Sequence, residues 1–224
     1  FTYGRWFAGH TVEMVKRAAD NLQPATLRVG RAPAQIGYNR RLMEDGKIVM
    51  KPNPEGAVVP WVDVLAAYGE DGRRIAVLFS HAAHPVMVTQ PISSGFPGYA
   101  IKHLRNLLSK EGEPEGVFMF AQGCGGNING FPLRSSYENA IKQGRDLGDS
   151  VLKAIKNGKP IESESLQVKM ARTSLPGNVV HPDRSVDGPG QTLVALCFQI
   201  RSFSIQETIP TNASGQCLQS AANP

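Results

Sequence analysis

The sequence contains little cysteine and no long apolar run. Its 224 residues include only Cys124, Cys197 and Cys217, and cysteines this few and this widely spaced exclude a disulfide scaffold and a zinc knuckle. No run reaches the roughly 18 uninterrupted apolar residues that a membrane-spanning helix requires. The first residues contain neither an initiator methionine nor a signal peptide, so we expect a processed or excerpted segment.

The sequence also lacks a cluster of basic residues. The formal net charge is +5, but the nearest basic runs are the pairs Arg40-Arg41 and Arg73-Arg74. Binding to nucleic acid depends on a basic patch that neutralises several phosphates. We therefore expect no nucleic-acid partner.

What the sequence does contain is a core-forming share of apolar residues, 41%, over a length typical of roughly one to two domains. Ile75–Phe79 and Val117–Ala121 are apolar without alternation, which predicts two strands covered on both faces. Between them, Pro97 suits the first turn of a helix that packs on a sheet. The pattern predicts an α/β fold: a mixed sheet with a central strand–helix–strand crossover and helices packed on it.

Further elements are predicted on both sides of this crossover. Ser135 and Glu138 form a capping box that would begin a helix ending near Lys156. The other predictions are a sheet-supporting helix over 11–22, a strand over 25–30, a turn at 45–46, a hairpin of 62–67 with 75–79, a strand over 166–170, a loop over 176–190, and one or two strands within 193–203.

Two turns carry the residues suited to chemistry, and both follow strands at the end of the sheet where open α/β folds bind ligands. His84 lies in the first turn, before Pro85, and its imidazole suits a metal or a proton transfer. The alternative is a histidine bonded to a neighbouring backbone carbonyl. His81 lies three residues earlier in extended chain, so its ring would point to the opposite face.

The second turn, Gln122–Asn129, is rich in glycine. Gly123 to Asn129 contains three glycines and two asparagines, and such a turn brings backbone N–H groups close to a ligand, where they can bind an anion or an oxyanion. The alternative is a tight connection from a strand to a helix. Cys124, in the same turn, is either a nucleophile with His84 as its base or a packed thiol.

Arg40 is the remaining candidate. Its planar guanidinium can grip a carboxylate or an oxyanion with paired hydrogen bonds. A solvated arginine in a turn is the alternative.

Five blocks of the sequence carry a resemblance to a known family. They are GYNRR at 37–41, VDVL at 62–65, FSHAAHP at 79–85, ISSGFPGYA at 92–100 and AQGCGGNIN at 121–129. In order and spacing they resemble the neutral/alkaline non-lysosomal ceramidase family, over roughly residues 10 to 170. The family's enzymes are zinc amidases that cleave the N-acyl bond of ceramide into sphingosine and a fatty acid.

The resemblance implies roles for individual residues. His84 matches a zinc-ligating histidine, and Arg40 matches an arginine near the reacting group. Gly125, Gly126 and Asn127 would line the substrate or oxyanion. Asn129 stands where ceramidases proper carry a serine, and we expect it to be catalytic together with Arg40. The implied cofactor is zinc, and the implied partner is a small-molecule or lipid amide.

The resemblance also implies that the segment is incomplete. The family's paired histidines would precede Phe1, and its glutamate and tyrosine ligands would lie near or beyond Pro224. We therefore expect a ceramidase-like amino-terminal domain over residues 1–207 with an irregular tail over 208–224, inactive alone. The family resemblance implies that the protein is extracellular, periplasmic or membrane-associated. The alternative function is a non-catalytic, ceramidase-like scaffold or binding module.

Overall fold

A computed structural model describes residues 2–88, 92–112 and 116–162, and the backbone of 166–174 and 192–200. The chain divides into two compact units, residues 1–160 and 161–224. The loop predicted over 176–190 and the tail predicted over 208–224 lie outside the described residues. The single domain predicted over residues 1–207 stays a prediction.

The described elements are three helices and ten strands, and five of the strands follow the first helix in succession. In order, they are α1 (Thr2–Asp20), β1 (Thr26–Pro33), β2 (Gly37–Glu44), β3 (Lys47–Asn53), β4 (Trp61–Tyr68), β5 (Arg74–His81), α2 (Gly95–Lys110), β6 (Val117–Gln122), β7 (Ile128–Gly130), α3 (Tyr137–Lys156), β8 (Lys159–Pro160), β9 (Leu166–Ser174) and β10 (Thr192–Ile200).

The first unit contains a five-stranded sheet in the order β6-β5-β4-β1-β8 and a three-stranded sheet in the order β3-β2-β7. β5 and β6 are parallel and joined through α2, whereas β4 pairs antiparallel with both β5 and β1. This confirms the α/β class, the mixed sheet, the central crossover and the 62–67/75–79 hairpin. In the second unit β9 and β10 form an antiparallel pair, so both predicted strand regions contain a strand.

The hydrophobic core lies between the five-stranded sheet and two helices. α3 packs on β1 and β4, and α2 packs on α3 and contacts β6. Alternate strand residues point into this layer, and Val64, Val77 and Phe79 are buried there opposite Leu104 and Leu147. Each such side chain contributes about 1.5–3 kcal/mol by leaving water. This core layer supports the end of the sheet at which β5 and β6 terminate.

The prediction that the two apolar strands are covered on both faces is wrong for the described part of the chain. Leu78 is 37% exposed, Val117 57% and Met119 44%. A run of apolar residues puts apolar side chains on both faces of a strand, but in the first unit α2 and α3 cover one face only.

The first helix also differs from its prediction. It begins at Thr2 rather than Thr11, and none of its residues is buried. Val12 and Val15, part of the predicted packing stripe, are 54% and 59% exposed. The prediction that this helix supports the sheet is therefore wrong within the described residues. Periodicity indicates an amphipathic helix without identifying its partner.

The predicted cap of α3 is displaced by one residue. Ser136, not Ser135, is the N-cap, and its hydroxyl accepts a hydrogen bond from the Asn139 N–H at 3.3 Å. The Ser135 hydroxyl instead donates to the Pro132 carbonyl at 2.9 Å. Two adjacent serines offer equivalent caps locally, and the preceding loop decides between them. The helix ends at Lys156, as predicted.

Glycine allows α2 and α3 to approach closely. A β-carbon on Gly144 of α3 would lie 2.5 Å from the Tyr99 Cβ and 2.9 Å from the Phe96 carbonyl oxygen. A β-carbon on Gly148 would lie 3.0 Å from the ring of His103. Because Gly144 and Gly148 have no side chain, α2 and α3 can lie this close together.

We expect Gly144→Ala to lower the free energy of unfolding by about 1–3 kcal/mol, because overpacking outweighs the gain in helix propensity. Gly9→Ala is the matched control, since nothing lies within 4 Å of a β-carbon at this exposed helical position. The control should be as stable as the parent or more so. Urea denaturation measures both, and a Gly144→Ala protein of parental stability would contradict the close approach.

Candidate functional site

The two candidate turns lie side by side at one end of the five-stranded sheet. β5 and β6 are parallel and in register, with His81 opposite Gln122 at their carboxyl ends. The chain then continues from each strand, and His84 forms a parallel bridge with Asn129. The fold therefore brings the histidine turn against the glycine-rich turn.

Hydrogen bonds to the glycine-rich turn hold His84 in place. Its backbone N–H donates to the Ile128 carbonyl at 3.0 Å, and its carbonyl accepts from the Gly130 N–H at 3.1 Å. Its ring Nδ1 lies 2.8 Å from the Gly125 carbonyl and 3.1 Å from the Ile128 carbonyl. Because both ring partners are acceptors, Nδ1 carries the proton in the neutral ring and Nε2 keeps a lone pair.

This arrangement reconciles the two sequence-based interpretations of His84. The ring is bonded to backbone carbonyls, as one alternative holds. The same kind of bond orients metal-ligating histidines, whose second nitrogen faces the metal. His84 is half-buried, so its Nε2 can serve as a ligand or as a proton acceptor.

Internal hydrogen bonds shape the glycine-rich turn. The Gly125 N–H donates to the Gly123 carbonyl at 2.7 Å, and the Ile128 N–H donates to the Gly125 carbonyl at 2.9 Å. The Gly125 amide is thus engaged, and its carbonyl serves the His84 ring. Within the part of the chain that the structure describes, the N–H groups of Gly126 and Asn127 donate to no other group. These two amides are donors of the turn that can meet a ligand, as is the Cys124 N–H.

Arg40 lies along the same turn because β2 pairs with β7, with Tyr38 opposite Asn129. Its backbone N–H donates to the Asn127 carbonyl at 2.8 Å. Its guanidinium donates to the Gly126 carbonyl at 2.9 Å and lies 3.4 Å from the Asn129 side-chain oxygen. The structure therefore brings all six predicted site residues together, from Arg40 through His84 to Gly125–Asn127 and Asn129.

His81 and Cys124 do not join this arrangement. His81 is buried, and its Nδ1 lies 2.9 Å from the Trp61 carbonyl, away from the partners of His84. Burial lowers the pKa of His81 from its ordinary value, with the Trp61 carbonyl opposing that shift. Cys124 is exposed rather than packed.

Sequence reasoning missed Asn39. Its side chain is buried, accepts from the Arg41 N–H at 2.9 Å and donates to the Ala57 carbonyl at 2.9 Å. The sequence signal is the polar residue immediately before Arg40, in a strand whose partner β3 contains Pro52, since proline in a strand indicates an irregularity.

The described residues include no group of three or more histidine, cysteine, aspartate or glutamate side chains that could hold a metal ion. A catalytic zinc typically takes three protein ligands, so the described residues alone do not fit such a site. None of the described helices is long and apolar enough to cross a membrane.

Comparison with known proteins relates the fold to two solved structures. A neutral ceramidase from Pseudomonas aeruginosa superposes with a TM-score of 0.56 and 21% identity, over 73% of this chain and 28% of that one. A ceramidase complexed with C2 superposes with a TM-score of 0.54 and 20% identity, over 71% and 26% of the two chains. The chain thus has a ceramidase-like fold and spans about a quarter of the length of these structures. No family model and no curated protein sequence matches it.

We expect the lowered pKa of His81 to make stability depend on pH. Between the folded pKa and the unfolded value near 6.5, the unfolded state binds more protons, so the free energy of unfolding falls as pH falls through this window. His81→Asn keeps a donor for the Trp61 carbonyl but does not titrate, and its stability should fall less on acidification.

Urea denaturation at pH values from 7 to 5 measures this difference, with His10→Asn on the exposed helix α1 as the control. An identical loss of stability in the parent and His81→Asn would show that His81 does not carry the effect.

Proposed function

We propose that this chain forms part of an amidohydrolase of the neutral ceramidase type. Its reaction would be the hydrolysis of an N-acyl amide such as ceramide to an amine, sphingosine, and a fatty acid. One observation carries the proposal: a single glycine-rich turn holds both the His84 imidazole, through the Gly125 and Ile128 carbonyls, and the Arg40 guanidinium, through the Gly126 carbonyl. The ceramidase-like fold supports it.

Hydrolysis of an amide requires stabilisation of the charge that develops on the carbonyl oxygen. Arg40 has five guanidinium N–H donors, and its bonds to Gly126 and Asn129 leave others to orient a carbonyl or a product carboxylate. In the proposed mechanism, the N–H groups of Gly126 and Asn127 would add hydrogen bonds to that oxygen. His84 would accept a proton or bind a metal through Nε2.

The proposal includes zinc as the cofactor of the complete enzyme. His84 would be its ligand from the described residues, with the remaining ligands elsewhere. When bound, such an ion would polarise the amide carbonyl. The Gly125 carbonyl, by bonding Nδ1–H, would keep Nε2 directed toward it.

Asn129 would help to position the Arg40 guanidinium rather than act as a nucleophile. Its side chain is 2% exposed, and its oxygen lies 3.4 Å from the Arg40 guanidinium. A carboxamide is a poor nucleophile, so the serine chemistry of ceramidases proper is not transferred to this residue. The substrate would be a small-molecule or lipid amide that need not be ceramide itself.

A second candidate function is ligand binding without turnover. The lack of a three-ligand cluster among the described residues favours it. In that case Arg40 and the turn amides would bind a carboxylate or amide ligand that is then released unchanged.

Zinc titration tests the ligand role of His84 directly. We expect millimolar zinc to shift the 15N resonance of His84 Nε2, and His84→Ala to reduce the zinc bound by the protein. His103→Ala is the matched control, because that ring pairs with Asp149 between α2 and α3. A shift confined to His103 would contradict the assignment. If a chelator left the hydrolysis of a fluorescent ceramide unchanged, zinc would be excluded as the cofactor.

Arg40→Lys tests the role of the guanidinium. A lysine provides a point charge without paired donors, so we expect kcat/KM for N-acyl amide hydrolysis to fall by about 100-fold. Arg41→Lys, at the exposed neighbouring position, should stay within about twofold of the parent. These activities are measured in the complete enzyme that supplies the remaining ligands. Equal activity of the two variants there would remove Arg40 from the proposed mechanism, and a complete enzyme without hydrolysis would favour the binding function.

A further inference from the structure

We propose that Asn39 is a positioning residue that places the Arg40 guanidinium against the glycine-rich turn. It does so by bridging an irregular strand pair and the loop over residues 54–59. Its catalytic consequence rests on the proposed function, but its structural basis does not. The proposal rests on hydrogen bonds that asparagine side chains make with three backbone segments around Arg40.

The first segment is the irregularity between β2 and β3. Asn39 lies opposite Asn53, but Arg41 lies opposite Met50, so Lys51 and Pro52 together oppose Arg40. Pro52 has no N–H for the strand ladder. An extra residue in one strand bends the pair and redirects side chains. Arg40 is the residue at this bend.

Two asparagine side chains hold the backbone next to the bend. The Asn39 Oδ1 accepts from the Arg41 N–H at 2.9 Å. The Asn53 Nδ2 donates to the Arg41 carbonyl at 2.9 Å. Both polar groups of the Arg41 backbone are thus bonded by side chains, which fixes the strand direction immediately after Arg40.

The second segment is the loop over 54–59, and it connects Asn39 with the glycine-rich turn. The Ala57 carbonyl accepts from the Asn39 Nδ2 at 2.9 Å and from the Asn127 Nδ2 at 3.0 Å. Gly56 lies so close to Asn39 that a β-carbon there would overlap its side chain. One carbonyl therefore links β2 to the third segment, the turn that binds the Arg40 guanidinium.

Asn39 is suited to this role because both ends of its carboxamide are used and the residue is 7% exposed. A buried carboxamide with acceptor and donor satisfied has one orientation. Aspartate retains the acceptor but not the donor, and alanine retains neither. These substitutions therefore separate the bond to Arg41 from the bond to Ala57.

Amide-resolved hydrogen exchange of the whole chain tests the proposal. We expect exchange of the Arg41 N–H to accelerate about tenfold in Asn39→Ala and to stay near the parental rate in Asn39→Asp. The Gly56 N–H, bonded to Asn53 at 3.1 Å, should exchange faster in Asn39→Ala, Asn39→Asp and Asn127→Ala. The exposed Asn106→Ala in α2 is the matched control.

The outcomes separate positioning from general support of the fold. Acceleration limited to the Arg41 and Gly56 regions supports the proposal. Equal acceleration at core amides such as Val64 and Phe79, or an unchanged Arg41 rate in Asn39→Ala, overturns it. If Asn39→Ala fails to fold, Asn39→Asp and Asn127→Ala still decide whether the Ala57 link holds the loop.

Kinetics then tests the consequence for Arg40. For hydrolysis of an N-acyl amide, mispositioning of Arg40 predicts that Asn39→Asp lowers kcat about tenfold and leaves KM within about twofold of the parent. Asn39→Ala, which loses both hydrogen bonds, should lower kcat further than Asn39→Asp. A change in KM alone would contradict it. These kinetics apply to the complete enzyme that supplies the remaining ligands. A complete enzyme without hydrolysis would count against the proposed function, and the exchange result on this chain would still decide the positioning role.

Discussion

The candidate site depends on the closure of the glycine-rich turn over His84. The Gly125 and Ile128 carbonyls both face the His84 Nδ1, and the His84 backbone bonds to Ile128 and Gly130. This closure requires the Gly125 carbonyl to turn toward the ring, which the bond from the Gly125 N–H to the Gly123 carbonyl supports. The imidazole is consequently oriented by backbone atoms, which cannot rotate away as side chains can.

The larger structure supplies the platform for this closure. β5 and β6 run parallel and end in register, so the segments that follow them leave the sheet side by side. α2 and α3 cover one face of that sheet, with Gly144 allowing their close contact. β2 then pairs with β7 and carries Arg40 to the turn from the other side. Three regions distant in sequence thus meet at one short segment.

The fold brings hydrogen-bond donors and one free ring nitrogen together at the glycine-rich turn. A half-buried imidazole with Nε2 available, a guanidinium bonded along the turn and two unengaged turn amides provide donors and one acceptor. The described residues contain no group of three or more histidine, cysteine, aspartate or glutamate side chains that could hold a metal ion. The chain spans about a quarter of the length of the solved ceramidases that it matches.

Local sequence predicted the strands over 62–67, 75–79 and 117–121, the crossover helix and the helix ending at Lys156, because apolar periodicity, proline and glycine act over a few neighbouring residues. The six candidate site residues came from the two turns and from the family resemblance, and their roles stay predictions. Tertiary structure decided what local pattern could not. In the tertiary structure α1 has no buried residues, and apolar side chains on one face of the β5–β6 pair are exposed. Apolar periodicity identifies the apolar face of an element but not the element that packs against it. Tertiary structure also chose Ser136 over Ser135 as the cap and gave Asn39 its contacts with Arg41 and Ala57, because these depend on atoms brought together from distant parts of the chain.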